Sequence, residues 1–359
     1  MLNLGLSGNI DRVVDILTDG GDLWVEALQR AGVGTPTAHI VERLISFATP
    51  VQRFWLYDCL IFLNYEEELR LDRDQLWRDY QESYEAAQDQ VLDLDDEDAV
   101  DAEMLREASY LTKAMRRAKD ERDAGTLDVL WVQVQKLQRR TRSLNRQAIL
   151  NSEYGCCLYE LGDYETAWAI ALSNVSFYLM QIQLRDDEFW GVPPEVLLGM
   201  LQQSEVGIAV LSRLGDALIL LGMCLRELGE WPAKVFEMAK FLFGIIGGQK
   251  AFYKAELHMA RQLGRLKENI TSAIKLMETR LTDFKRIGFN GGLVATTCTL
   301  AALHEASGNN QRAEALLSEL AHFDPEDVRE EIADARSQVA PYTAPSWGWR
   351  TLAAMGRAE

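Results

Sequence analysis

The sequence places few residues in the spacings that enzymes use for chemistry. Its four histidines are His39, His258, His304 and His322. None belongs to an H-E-x-x-H pair, the arrangement in which two histidines one helical turn apart bind zinc, and we predict no zinc site. His304 falls on the inner face of a predicted helix, where packing is the favoured role.

Other motifs with a known chemistry are incomplete. The glycine-rich stretch 244–251 has a lysine, but it lacks the following Ser or Thr and the preceding strand of a phosphate-binding loop. The acidic run 93–103 lacks the central glycine of an EF-hand calcium loop. No G-x-S-x-G nucleophile motif occurs. We therefore predict no catalytic residue, no metal and no cofactor.

The best candidate binding residues are cationic. Residues 250–286 carry nine lysines and arginines against four acids, a local reversal in an acidic chain. Lys254 and Arg261 are seven residues apart, so they share one face of a predicted helix. We expect these two residues, together with Arg265, to contact an acidic segment of a partner. A solvated cationic face is the alternative.

The C-terminal residues offer a second candidate. Trp347 and Trp349 flank a glycine in the segment 339–359. Tryptophans are frequent anchors of protein interfaces. Alternatively, this tail folds back and covers the last apolar face of the domain, as the ends of repeat arrays require.

Composition narrows the class of partner and the compartment. A formal net charge of −18 disfavours nucleic acid and anionic membrane surfaces. The five cysteines include no C-x-x-C pair, which indicates reduced thiols and a cytoplasmic protein. No secretory signal is recognised at the N-terminus. The apolar segment 54–65 is too short to span a bilayer and predicts a buried core helix, although a dimer interface, and hence a homo-oligomer, is an alternative.

Two neighbouring segments have opposite charge. Residues 85–107, which include the acidic run 93–103, are strongly acidic, and they are followed by residues 113–146, in which lysines and arginines outnumber acids. We expect the two segments to pair with each other. Binding of a charged partner by either segment is the alternative.

The elements that position these residues are predicted to be helices arranged in hairpins. The phrase ELGDYETAWAIA at 160–171 returns as ELGEWPAKVFEMA at 227–239, so Gly162 and Gly229 are 67 residues apart. This is close to twice the roughly 34-residue period of helix-turn-helix repeats. Further turns are predicted at Gly264 and Gly308, with a weaker early turn at Gly125.

Three other signals mark helix boundaries. Thr49-Pro50 predicts a helix start, with the threonine as N-cap and the proline in the first turn. Asp324-Pro325 predicts another start of the same kind. Residues 185–200, which contain Pro193-Pro194, are predicted to form a lengthened connection in place of a regular repeat edge.

These repeats resemble the tetratricopeptide repeat (TPR) family over residues 111–338. The residues that match the family pattern are Gly155, Gly162, Tyr164 and Ala167 in one unit, Gly222, Gly229 and Trp231 in the next, Gly264 in the third, and Ala301, Gly308, Ala313 and Pro325 in the fourth. Lys234 stands where the family has alanine, and the aromatic residue near the start of the family pattern is missing from every unit. The resemblance implies a concave groove lined by the first helix of each hairpin, in which cationic side chains clamp a peptide carboxylate.

The predicted fold is therefore all-α, a right-handed superhelical array of antiparallel helix hairpins with an irregular helical N-terminal region. We divide the chain into helices at 1–110, repeats at 111–338 and a tail at 339–359. The predicted function is a non-catalytic adaptor or scaffold that binds a protein or peptide. The alternatives are a peptide- or ligand-sensing regulator whose N-terminal region moves, and a helical enzyme without a recognisable motif.

Overall fold

The structure is a computed structural model, and it describes residues 34–67, 71–88, 97–141, 143–191, 194–203, 207–247, 249–287 and 290–340. Of these residues, 86% are helical and none lies in a β-strand. The all-α prediction is confirmed. The right-handed superhelix stays a prediction.

The chain forms two compact units, Met1–Gln147 and Ala148–Glu359. The division lies inside a helix, whereas the change in sequence character near residue 110 falls in the middle of another. Among the described residues, the helices that lie wholly in the first unit are α1 Gly34–Ile45, α2 Pro50–Glu67, α3 Arg73–Gln88, α4 Glu97–Asp120 and α5 Ala124–Arg140.

Helix α2 forms the centre of the first unit. Thr49 caps it as predicted, since its hydroxyl accepts from the Gln52 backbone N–H at 3.3 Å and the Gln52 side chain accepts from the Thr49 N–H at 2.9 Å. Phe54, Leu56, Leu60 and Leu63 of this helix are buried, and α1 and α3 both pack against it. The prediction of a core helix at 54–65 is therefore confirmed.

Helix α6, Leu144–Glu160, crosses the division, and the remaining helices belong to the second unit. These are α7 Tyr164–Gln181, α8 Asp186–Gly191, α9 Pro194–Gln203, α10 Ile208–Glu227, α11 Ala233–Ile246, α12 Gln249–Gly264, α13 Ile270–Ile287, α14 Asn290–Ala306, α15 Asn310–Ser318 and α16 Pro325–Val339. Helix α7 packs against α10, so the short helices α8 and α9 form an inserted connection, as predicted for 185–200.

One turn geometry recurs between helices. Gly162, Gly229 and Gly308 have φ of 89°, 81° and 84°, the left-handed conformation that glycine adopts without a Cβ clash. After each of them, the next backbone N–H donates to a carbonyl five residues earlier, at 2.8 to 2.9 Å. Asp163 and Asn309 then cap the following helix. These three predicted turns are confirmed.

The early turn predicted at Gly125 is wrong, because Gly125 lies inside α5. The turn is formed by Arg122, whose φ is 54°, and by Asp123, whose carboxylate accepts from the Thr126 N–H at 2.9 Å. Asp123 N–H donates to Ala118 O at 2.8 Å, so the hydrogen-bond pattern of the glycine turns is reproduced without a glycine.

Two other repeat residues differ from the expected pattern. Gly264 ends α12 without adopting the left-handed conformation; a Cβ there would collide with the Leu303 side chain, so this glycine permits close helix packing. Trp231 precedes α11 instead of opening it, because the residue before a proline disfavours helical geometry. By contrast, Tyr164 is the first residue of α7.

The predicted close-packing glycines are confirmed. A Cβ on Gly222 would lie 2.5 Å from the Phe236 ring, and one on Gly155 would lie 3.1 Å from the side chains of both Ile170 and Leu220. The first contact is closer than real Cβ atoms approach, and the second leaves little room. Ala167 and Ala313 are likewise buried.

The last helix, α16, packs against α12 and α14. Asp324 caps it and Pro325 opens it, as predicted. Its apolar residues Ile332, Ala335 and Val339 join the core formed by α12, α13, α14 and α15. The apolar face of α16 is therefore buried against first and second helices of the preceding hairpins.

Candidate partner-binding surface

The predicted cationic residues lie along one face of α12. Lys254, His258, Arg261 and Arg265 are spaced four, three and four residues apart, which keeps them on one side of the helix. Lys254 is exposed, whereas His258 and Arg261 are buried. The face thus changes along its length from an exposed charge to buried ones.

Arg261 is the centre of a hydrogen-bond cluster that joins three helices. Its Nε donates to Thr299 Oγ1 on α14 at 2.9 Å. Its Nη1 donates to Asp334 Oδ2 at 2.7 Å and to Gln338 Oε1 at 3.1 Å, both on α16. Its Nη2 pairs with the Glu331 carboxylate, also on α16. All three guanidinium nitrogens are thereby engaged.

The prediction that Arg261 contacts a partner therefore needs correction. The acidic segment that it binds is α16 of the same chain, whose acceptors lie 70 to 77 residues later in the sequence. Arg265 also reaches this end of the chain, since its Nε donates to Ala340 O at 3.2 Å. Of the three predicted contacts, Lys254 is the one that stays exposed and without an ion pair among the described residues.

A second buried arginine, which the sequence analysis missed, lies beside this cluster. Arg226 on α10 donates to Tyr159 Oη on α6 at 3.1 Å and pairs with Glu227 at 3.0 Å. Its Nη1 lies 3.4 Å from His258 Nδ1. The signal that could have revealed it is a charge placed within a long apolar helix, where an unpaired arginine would be very costly.

His258 is held neutral by this environment. Burial lowers the pKa of its imidazole well below the usual range, and the cations Arg226, Arg261 and Lys254 lower it further. The ring also stacks on Phe236, with centroids 5.4 Å apart. A neutral ring can accept the hydrogen bond from Arg226, which a protonated ring could not do.

A third charged cluster lies around Glu256 on α12, and it was also missed. The Glu256 carboxylate is buried and pairs with Lys240 of α11 at 2.8 Å and with Arg280 of α13. The centroid of the Phe252 ring lies 5.4 Å from Lys240 Nζ and 5.8 Å from Arg280 Cζ. One carboxylate on α12 thus pairs with cations on both α11 and α13. We interpret this cluster as stabilising the packing of the three helices.

The opposite-charge segments of the first unit pair with each other, as predicted. Arg146 donates to Asp101 at 2.9 Å, and Arg140 pairs with Glu107 at 2.9 Å. Residues 93–96 of the acidic run lie outside the described residues, as do Trp347 and Trp349. The two roles proposed for the tryptophans stay predictions.

The described ranges contain no group of three His, Cys, Asp or Glu side chains that could hold a metal ion. Four of the five cysteines are buried, and Cys156 is exposed. Burial raises the pKa of the Cys224 and Cys298 thiols to about 12, so these two stay protonated and unreactive at neutral pH. His304 is buried, as predicted for a packing role.

Within the described residues, α10 alone is long and apolar enough to cross a membrane by length and composition, with a mean hydropathy of 1.9. Of that apolar stretch, 61% is buried within the protein, and core helices of soluble proteins meet the same criteria.

Comparison with protein-family models and with curated proteins finds no match for this chain.

Proposed function

We propose that the chain is a non-catalytic adaptor of the TPR type, cytoplasmic, which binds a partner peptide or helix on a face formed by the first helices of successive hairpins. The observation that carries the proposal is the contact of α12 and α14 with α16. This face binds an acidic amphipathic helix through buried apolar residues and through Arg261. The same chemistry suits an acidic segment of another protein.

Lys254 is the residue through which a partner is proposed to extend this contact. It lies on the same face of α12 as Arg261, it is exposed, and it has no ion pair among the described residues. An exposed lysine contributes mainly to association rate and specificity, and its contribution is sensitive to salt.

The test compares two charge reversals, Lys254→Glu and the control Lys136→Glu, which changes an exposed lysine on α5 of the first unit. Reversing Arg261 would unfold the α16 contact and is therefore uninformative. Each protein is used for affinity purification from native lysate at about 0.1 M and 0.5 M salt, since screening weakens exposed charge pairs over this range.

The adaptor proposal expects one stoichiometric partner that wild type and Lys136→Glu recover equally at low salt. Recovery should fall at least tenfold with Lys254→Glu, whose circular dichroism should match that of wild type. The proposal would be contradicted if wild type and both variants recovered the same proteins at both salt concentrations. It would also be contradicted if none of the three recovered a partner.

A further inference from the structure

A cavity of about 230 Å³ lies in the first unit, between α2, α3 and α4. Its apolar lining is provided by Ile61 and Phe62 from α2 and by Leu76 and Trp77 from α3. Its polar lining comes largely from the C-terminal part of α4, beginning with Lys113. The volume is slightly below the roughly 300–1,000 Å³ of typical ligand sites, which suits a small molecule.

Lys113 is the residue that points to a ligand. Its side chain is only 10% exposed, yet its ammonium makes no hydrogen bond to any described residue. Its closest charged neighbour is Asp58 Oδ1 at 3.5 Å, and that oxygen already accepts from Tyr80 Oη at 3.0 Å and from Ser109 Oγ at 2.7 Å. An ammonium has three donors, so Lys113 has donors left for an anion that enters the cavity.

The carboxylates that line the cavity pair with cations other than Lys113. Asp74 and Glu121 both pair with Arg117, at 3.0 and 2.7 Å. Asp120 pairs at 3.2 Å with Lys119, which does not line the cavity. Their side chains are 70%, 52% and 47% exposed, whereas that of Lys113 is 10% exposed, so Lys113 is more enclosed than these carboxylates.

The two aromatic rings lie next to the cations. Lys113 Nζ is 5.8 Å from the centroid of the Phe62 ring, and Arg117 Cζ is 5.5 Å from that of the Trp77 ring. An apolar group between these rings would be desolvated, and an anionic group attached to it would reach the ammonium. Charge-assisted hydrogen bonds of this kind are stronger than neutral ones.

We propose that this cavity binds a small organic anion, a carboxylate or phosphate attached to a compact apolar or aromatic group, with Lys113 as the residue that binds the anion. The proposal does not rest on the adaptor function, since the cavity lies wholly within the first unit.

The experiment titrates the full chain with four probes by isothermal calorimetry and ligand-observed NMR. The probes are 3-phenylpropionate, phenyl phosphate, the neutral 3-phenylpropionamide and inorganic phosphate. We expect saturable binding of at least one aromatic anion at or below about 1 mM. The amide and inorganic phosphate should each bind at least tenfold more weakly. The ratio of the dissociation constants of 3-phenylpropionate and phenyl phosphate identifies whether the carboxylate or the phosphate is preferred.

Two variants assign the binding to the cavity. Lys113→Gln should weaken binding at least tenfold, whereas Lys136→Gln on α5 should bind as wild type does. Arg73→Glu, which reverses an exposed charge at the mouth, should weaken binding about threefold and gives a second readout if Lys113→Gln fails to fold. The proposal is overturned if no aromatic anion binds, if the amide binds as well as the acid, or if neither variant weakens binding.

Discussion

Two cations, the buried Arg261 and the partly buried Lys113, show how differently the two units of this protein use charge. Arg261 and Lys113 have side chains that are 3% and 10% exposed. Arg261 has all its nitrogens engaged by neighbouring residues, whereas Lys113 has a single distant ion-pair contact, with Asp58. Lys113 is the more exposed of the two, and the larger difference is in the number of hydrogen-bond acceptors around each cation. A buried cation whose donors all have acceptors stabilises the packing of helices. A cation that lines a cavity and has unused donors is suited to binding a ligand.

The largest expected effect is on the stability of the Arg261 cluster. Arg261→Leu removes one side of a buried ion pair and leaves the carboxylates of α16 without their cation. We expect the free energy of unfolding of the α12, α14 and α16 region to fall by about 3 kcal/mol. Amide hydrogen exchange of these helices measures it. Arg286→Leu, at an arginine that is 75% exposed, is the matched control and should change little. A loss below about 1 kcal/mol for Arg261→Leu would show that the cluster does not stabilise the packing of α16 against α12 and α14.

The second effect is a pH dependence confined to the second unit. Because burial lowers the folded pKa of His258, the unfolded chain binds a proton near its ordinary pKa of about 6.5 that the folded chain does not bind. The contribution of His258 to stability is thus complete above about pH 6.5 and decreases by about 1.4 kcal/mol per pH unit below it.

Hydrogen exchange of α12 at pH 7.5 and pH 5 checks this dependence after correction for intrinsic exchange rates. The loss of stability between pH 7.5 and pH 5 should be larger in wild type than in His258→Gln. His39→Gln changes an exposed histidine and should behave as wild type does. An equal pH dependence in wild type and His258→Gln would show that His258 is protonated in the folded protein.

A smaller effect is expected where α16 is held by an exposed ion pair. Arg336 donates two hydrogen bonds to Glu305, at 2.8 and 2.6 Å, but the two side chains are 51% and 29% exposed. Glu305→Gln should therefore lower stability by no more than about 1 kcal/mol, and the difference should shrink in about 1 M salt. A loss as large as that of Arg261→Leu would mean that burial does not distinguish the two contacts.

The smallest effect on stability is expected for a substitution of Lys113 in the first unit. Lys113→Met removes a long ion pair and a contact with the Phe62 ring, but it also removes an ammonium that lacks acceptors. These changes oppose each other, so stability measured by urea denaturation should change by less than about 0.5 kcal/mol. Destabilisation above about 2 kcal/mol would place Lys113 with Arg261 as a structural cation and would count against the ligand site.

The sequence predicts best what is decided by neighbouring residues. The helix starts at Pro50 and Pro325 and the turns at Gly162, Gly229 and Gly308 depend on capping side chains and on glycine φ, which act over a few positions. Arg122 takes the same left-handed conformation with a side chain that carries no such signal, so its turn was misplaced.

The binding residues could be predicted only in part. The face shared by Lys254 and Arg261 follows from helical periodicity, but the acceptors of Arg261 on α16 are 70 to 77 residues away along the chain. The cavity at Lys113 combines residues from three helices, and none of these residues forms a recognisable motif within its own segment. Both sites depend on tertiary packing, which a local pattern does not encode.

The contrast between Lys113 and Arg261 is tested most directly by hydrogen exchange of the full chain with and without saturating 3-phenylpropionate. We predict that the ligand slows exchange in α2, α3 and the C-terminal half of α4, and leaves α12, α14 and α16 unchanged. Slower exchange in α12 and α16 without any change in the first three segments would contradict the assignment of Arg261 as a structural cation and of Lys113 as the cation that binds a ligand.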